Sequence, residues 1–129
     1  MKTARVIVRN HNDVFAIKAN DSLWENKTGA SCATLIRYEE SPESAAQRVL
    51  EKELGLKGNP KFVGKEFHNF EGVKRFLYIF EFQTDKQPII NEEDIRKGEF
   101  ISITKARELI ESGETMPTFD VAIGMLKSD

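Results

Sequence analysis

The chain has 129 residues, of which 40% are hydrophobic and 31% charged, with a formal net charge of −2. These values predict one domain with its own core, and the negative charge argues against binding along a nucleic-acid backbone. A single cysteine, Cys32, excludes an internal disulfide, and we expect a cytoplasmic protein without a signal peptide or membrane span.

The first third of the chain has short apolar runs separated by turn residues, a pattern typical of β-strands. It predicts strands at residues 4–9 and 14–18 around a turn at 10–13, and a third strand at 31–37. The stretch between them, 21–29, is polar and is expected to be a loop.

A helix is predicted at residues 42–54. Ser41 is a favourable N-cap residue, and Pro42 suits the first helical position, where its missing N–H is not needed. Apolar residues recur at helical spacing through the segment, and Gly55 follows at the position where helices take a left-handed residue.

The second half of the chain predicts further strands followed by two helices. We expect strands at 61–70, 73–82 and 99–103, a polar loop at 85–97, and helices at 104–111, capped by Thr104, and at 119–126. The apolar run 76–80 is typical of a strand covered on both faces. The order of elements indicates an α/β domain with helices on both faces of one sheet.

Residues 34–56 resemble the Nudix box, the loop-helix-loop signature of enzymes that hydrolyse nucleoside diphosphates linked to another group. The signature asks for Gly, five residues, Glu, seven residues, then Arg-Glu-apolar-any-Glu-Glu-any-Gly-apolar. The chain matches it at Glu40, Arg48, Leu50, Glu53, Gly55 and Leu56. It departs from it at Thr34, where Gly is expected, and at Val49 and Lys52, where Glu is expected. The resemblance implies the mixed-sheet α/β/α sandwich of the Nudix fold over the whole chain.

In family members, one face of the box helix carries an Arg and three Glu, and the Glu cluster binds a divalent metal on the pyrophosphate. The spacing i, i+1, i+4, i+5 predicts that Arg48, Val49, Lys52 and Glu53 share that face here. Glu51 is about 200° around the helix from Glu53, so it is expected to be a surface charge.

The resemblance implies particular roles for the matching residues. Glu40 and Glu53 would be metal ligands, Glu53 would also be catalytic, and Arg48 would orient a carboxylate. Glu99 starts a Glu-Phe-Ile-Ser segment similar to the family's Glu-Trp-x-Ser, whose Glu commonly acts as a base or additional ligand. Lys52 could bind a substrate phosphate as a point charge. Glu40 has an alternative role, which is to stabilise the helix N-terminus.

The two lost carboxylates predict a weakened site. A missing general base typically costs ~10²–10⁴ in rate. An ammonium group ~4 Å from a metal ion would repel it by several kcal/mol at an effective dielectric of ~20, so Mg²⁺ or Mn²⁺ is expected to bind weakly.

Three hypotheses follow. The chain is a Nudix-type hydrolase of low activity, a non-catalytic Nudix-fold module that binds a nucleotide or phosphate ligand, or a regulatory interaction domain. The expected partner is a small nucleotide or diphosphate rather than nucleic acid or a membrane. The sequence identifies neither the substrate nor the oligomeric state, and a homodimer is compatible with it.

Overall fold

The computed structural model describes residues 1–19, 26–70 and 72–127. The strands in this part of the chain are β1 (Lys2–Asn10), β2 (Asp13–Ala19), β3 (Thr28–Ala30), β4 (Cys32–Leu35), β5 (Lys61–Phe70), β6 (Val73–Gln83) and β7 (Ile95–Ser102). The helices are α1 (Pro42–Leu54), α2 (Ile103–Glu111) and α3 (Pro117–Met125). None of these helices is long and apolar enough to cross a membrane.

Strand β1 lies in the middle of a mixed sheet. It pairs in parallel with β6 along one edge, and antiparallel with β4 and β2 at different positions. The main path across the sheet is β3-β2-β1-β6-β5, and β7 adds to β2. Strand β4 pairs only with the first part of β1, and it also contacts α1, which follows it in the chain.

The helices cover both faces of the sheet. Neighbouring residues of β1 point to opposite faces, so their contacts identify the helix that covers each face. Val6 belongs to an apolar cluster that includes Leu50 of α1, and Ile7 belongs to a second cluster that includes Phe119 of α3. All four side chains are buried. The predicted α/β sandwich is confirmed.

The predicted boundaries of α1 are confirmed, and the local signals explain them. The Ser41 hydroxyl accepts a hydrogen bond from the Ser44 N–H at 3.1 Å, as an N-cap does. Gly55 takes a left-handed φ of 66°, and its N–H bonds to the Glu51 carbonyl at 3.0 Å.

Several other boundaries were predicted wrongly. Strand β7 begins at Ile95, within the predicted loop, because its antiparallel pairing with β2 continues to Ala19. Helix α2 begins one residue early and is capped by Ser102, whose hydroxyl accepts from the Lys105 N–H at 3.0 Å, so Thr104 is not the cap. The last helix, α3, starts at a proline, two residues before the predicted start.

The predicted strand at 31–37 corresponds to β4, Cys32–Leu35, which Ser31 separates from β3. The buried Ser31 hydroxyl donates to the Phe15 carbonyl at 2.7 Å and accepts from the Val8 N–H at 2.9 Å, which fixes the break between the two strands.

Of the predicted loop at 21–29, the last two residues belong to β3, and residues 21–25 lie outside the described part. Strand β6 is not covered along its whole length, since Phe76 is 37% exposed.

Candidate active site

The loop before α1 is fastened to the helix by an ion pair. Arg48 donates from Nε and Nη2 to the two carboxylate oxygens of Glu40, each at 2.9 Å. The backbone N–H of Arg37 donates to the same carboxylate at 3.0 Å. The Arg48 hydrogen bond, followed by that from Arg37, lowers the pKa of Glu40 to about 2. Glu40 is therefore ionised at neutral pH, and both of its oxygens are engaged.

Glu53 lies at the other end of α1, beside a cavity of about 290 Å³. Its carboxylate accepts a hydrogen bond from the Ala33 backbone on β4. Burial, followed by the negative charge of Asp94, raises the pKa of Glu53 to about 7. Glu53 can therefore gain and lose a proton near neutral pH.

Asp94 reaches the cavity because the preceding loop docks on the C-terminal end of α1. The N–H groups of Ile89 and Asn91 donate to the carbonyls of Leu54 and Glu53, each at 2.9 Å. Carbonyls in the last turn of a helix lack partners within the helix, so the loop satisfies two of them. This docking places the Asp94 carboxylate in the cavity with Glu53.

Lys52 approaches Asp94 rather than the bottom of the cavity. Its Nζ is 3.8 Å from Oδ2 of Asp94, and its side chain is 60% exposed. The same Asp94 oxygen is buried and has no hydrogen-bond partner among the described residues. The ion pair is long and the Lys52 side chain is exposed, so the ammonium group can leave Asp94 for a phosphate.

Arg5 on β1 supplies a second cation to the cavity. Its Nη1 donates to the Ala30 carbonyl at 2.7 Å. Burial lowers the pKa of Arg5 to about 10, which leaves the guanidinium charged at neutral pH. Burial also raises the pKa of the neighbouring Cys32 well above its usual range, and Cys32 is thus a neutral thiol rather than a nucleophile.

Val49 does not lie on the same face as Glu53, contrary to the prediction from spacing. It is 1% exposed and packs in the apolar cluster with Leu50. A residue one position away from a polar one sits at the border of the helix face, and here the sheet covers it. Glu51 is exposed, as expected, and pairs with Lys57 at 3.6 Å.

Glu99 is not brought together with Glu53. It lies opposite Ala16 in the pairing of β7 with β2, next to Phe100, whose ring packs on Phe15 in the cluster under α1. Since neighbouring strand residues point to opposite faces, Glu99 points away from α1. It lines a separate small cavity that includes Leu109 of α2.

The carboxylates in the Glu53 cavity are compatible with one divalent cation. Among the described residues, no group of three or more His, Cys, Asp and Glu side chains is placed to hold a metal. Glu53 and Asp94 share the cavity, however, and Mg²⁺ commonly uses one or two carboxylates and completes its shell with water. Glu40 does not fit the ligand role expected for it, because Arg48 and the Arg37 N–H occupy its oxygens.

Comparison with known families decides the assignment of the fold. A family model described as NUDIX domain matches residues 1–119. This chain belongs to the Nudix family. Nudix enzymes generally use divalent metals such as Mg²⁺. No curated protein matches the sequence of this Nudix protein.

Solved structures of distant relatives have the same fold. DR0079 from Deinococcus radiodurans is 19% identical with a TM-score of 0.81, covering 98% of this chain and 83% of its own. A MutT NUDIX hydrolase from Burkholderia pseudomallei is 11% identical with a TM-score of 0.78, covering 98% and 97%. An Ap4A hydrolase from C. elegans is 8% identical with a TM-score of 0.71, covering 96% and 93%. At these identities the similarity concerns the fold.

Two residues that line the Glu53 cavity were not predicted from the sequence. Asp94 was placed in an uninterpreted polar loop, and Arg5 within an ordinary strand. A buried strand with an arginine at its start was the available signal for Arg5, since long cations are seldom buried without a role. Asp94 had no local signal, because it reaches the site through docking of the loop.

Proposed function

We propose that this Nudix protein slowly hydrolyses a nucleoside diphosphate linked to another group, with Glu53 as the catalytic carboxylate. The observation that supports this most is the position of Glu53. It is the box carboxylate that enters a cavity, and there it lies near the cation Arg5 and the carboxylate Asp94. A half-buried carboxyl group between charges of both signs is typical of catalytic sites.

Glu53 has the properties of a proton acceptor for the attacking water. The water oxygen bonds to phosphorus, its proton passes to the Glu53 carboxylate, and the bond from phosphorus to the leaving phosphate oxygen breaks. That proton then returns to the leaving group. A pKa of about 7 suits Glu53 to both transfers at neutral pH, and the Ala33 N–H holds the carboxylate in place.

Charge stabilisation comes from the cations around the cavity. Arg5 is fixed by Ala30, and Lys52 is exposed enough to contact a phosphate. Glu53 and Asp94 are the residues that would hold Mg²⁺ or Mn²⁺, which when bound would supply positive charge against the phosphate oxygens. Binding is expected to be weak, because Lys52 is close and two of the box carboxylates are missing.

Arg48 and Glu40 have a positioning role in this proposal. Their two-bond ion pair joins the loop that precedes α1 to the helix itself. Neither residue lines the Glu53 cavity. Their contribution is to fix the orientation of α1, and through it the position of Glu53.

A second candidate is a Nudix-fold module that binds a phosphate ligand without hydrolysing it. The observation in its favour is the Lys52–Asp94 pair, which places an ammonium where the family has a metal-binding carboxylate. The two candidates share the ligand class and differ in turnover. A regulatory interaction domain would show neither ligand binding nor turnover.

Chromatographic assay of nucleoside diphosphate sugars and dinucleoside polyphosphates with Mg²⁺ tests the proposal. We expect slow turnover, below the usual ~1–10³ s⁻¹ of enzymes, that falls at least a hundredfold in Glu53→Gln. The matched control is Glu51→Gln on the same helix, which should keep the parent rate. Ligand binding without turnover would favour the second candidate, and absence of both would leave the interaction domain.

Calorimetric titration with Mn²⁺ tests the weak metal site. Lys52→Glu should increase the affinity, since it replaces the nearby cation with a third carboxylate. Lys57→Glu, beyond the end of α1, serves as the control and should have a smaller effect. If Lys52→Glu binds Mn²⁺ no better than the parent, Glu53 and Asp94 do not hold a cation.

A further inference from the structure

Strand β5 ends the sheet, at the far end of the path β3-β2-β1-β6-β5. One edge of this ten-residue strand pairs with β6, and no strand in the described part of the chain pairs with its other edge. The pairing with β6 shifts register between Phe62 and Gly64 and then runs unbroken from Gly64 to Phe70. A long and regular open edge presents backbone donors and acceptors that can pair with a strand of another chain.

Two aromatic side chains are exposed beside this open edge. Phe67, at the centre of the unbroken stretch, is 52% exposed. Phe76 lies opposite it on β6, with the two ring centroids 5.4 Å apart in an edge-on contact. Neither ring belongs to the two apolar clusters that the described residues form. An exposed apolar pair of this kind indicates an interaction surface.

The unbroken stretch favours one register for a second copy of this chain. In a two-fold symmetric antiparallel pair, one residue lies opposite the same residue of the other copy. With Phe67 in that place, all seven residues from Gly64 to Phe70 face a partner residue. A centre at Lys65 or Glu66 would set like charges directly opposite each other, which destabilises a strand pair. A centre further along the strand would leave part of the stretch unpaired.

The register centred on Phe67 also brings opposite charges together. It sets Glu66 opposite His68 of the second copy, and the symmetry repeats this contact. Within one chain, His68 lies opposite Arg75 on β6. The Arg75 Nε is buried and has no hydrogen-bond partner among the described residues. The carboxylate of the second copy would therefore arrive in a row with a histidine and an arginine, so the edge is complementary to itself in charge.

We propose that β5 pairs antiparallel with β5 of a second copy, with Phe67 opposite Phe67, so that the two sheets become one. The Phe67 and Phe76 rings of both copies then form one row across the junction, and aromatic cross-strand pairs stabilise such a contact. Seven paired residues bury less surface than the ~1,200–2,000 Å² of stable complexes, so monomer and dimer should exchange. No residue of β5 lines the Glu53 cavity, so the interface is separate from the proposed active site.

Sedimentation equilibrium of the full chain at rising concentration tests the interface. The parent should pass from monomer towards dimer below about 1 mM, and Phe67→Lys should dimerise at least ~10-fold more weakly, because two ammonium groups would face each other. The control is Tyr38→Lys, which removes a 94% exposed aromatic ring from the loop before α1 and should dimerise as the parent does. A parent that stays monomeric up to about 1 mM, or equal dimerisation of the parent and Phe67→Lys, would overturn the proposal.

A second variant tests the charge pairing without touching an aromatic ring. Glu66 is exposed, so Glu66→Lys should unfold at the same temperature as the parent. Its dimer should be at least ~10-fold weaker, because an ammonium group would replace the carboxylate opposite His68 and near Arg75. Dimerisation equal to that of the parent would refute the register.

Disulfide cross-linking locates the two-fold axis directly. Opposite Cα atoms of an antiparallel pair lie ~4.5–5.5 Å apart, so Phe67→Cys should form a covalent dimer on mild oxidation. In Lys65→Cys, on the same strand, the two sulfur-bearing residues would be roughly 13 Å apart along the junction and should not cross-link. The parent serves as the blank, because its one cysteine, Cys32, is buried. Cross-linking of Lys65→Cys as fast as that of Phe67→Cys would overturn the register.

Discussion

Replacing Glu53 with glutamine should stabilise the protein at alkaline pH. Burial raises the pKa of Glu53 from 4.5 to about 7, so the folded state resists ionisation that the unfolded chain allows. Below pH 4.5, Glu53 is protonated in the folded and the unfolded state, so its ionisation does not change the free energy of unfolding. As pH rises through about 7, the folded state loses the stability that the protonated carboxyl provides.

The size of the effect follows from the same pKa. The change is worth about 3 kcal/mol for a fully buried group, and we expect about half of this because the Glu53 side chain is partly solvated. For a domain of this length that is a shift of about 5 °C in the unfolding temperature. Glutamine can still accept the Ala33 hydrogen bond, so the variant isolates the charge.

The assay is thermal or urea unfolding of the parent, Glu53→Gln and Glu51→Gln at pH 5 and pH 8. The advantage of Glu53→Gln over the parent should grow between the two pH values, whereas Glu51→Gln should differ from the parent by the same small amount at both. If the stability of Glu53→Gln differs from that of the parent by the same amount at pH 5 and pH 8, or if the variant is less stable than the parent at pH 8, the argument that Glu53 is desolvated is wrong.

Val49→Glu should lower the free energy of unfolding, measured in urea, by more than about 3 kcal/mol, because it places a carboxylate in the apolar cluster. A variant as stable as the parent would contradict this packing. Arg48→Gln should unfold more easily above pH 4.5, a difference that disappears as pH falls through about 2, where Glu40 is protonated. Gly98→Ala should cost ~1–3 kcal/mol because the new Cβ would lie 2.6 Å from an aromatic ring, whereas Gly124→Ala in α3, with open space, should be neutral or stabilising. Equal stabilities of the two alanine variants would contradict this contrast.

Helix α1 could be predicted from the sequence because its signals are local. The cap at Ser41, the apolar stripe and the terminator Gly55 all lie within the segment that they define. The same holds for the hairpin of β5 and β6. Such features require no knowledge of what the segment packs against.

The site could be predicted only in part, because its geometry depends on packing between distant segments. Helical spacing predicted that Val49 shares the face of Glu53, whereas packing against the sheet buries Val49 in the apolar cluster. For Glu99, the sequence did not show the pairing with Ala16 that turns its side chain away from α1. Asp94 enters the site because a loop satisfies the last carbonyls of α1, which no local pattern records.

The central claim is that Glu53 performs acid–base chemistry in this Nudix protein. The most direct test is the pH dependence of kcat/KM for the best substrate in the hydrolysis panel, measured from pH 5 to pH 9. The account predicts a rate that rises with pH and levels off above an inflection near 7, set by Glu53. A rate without an inflection near pH 7, or the same profile in Glu53→Gln, would contradict it.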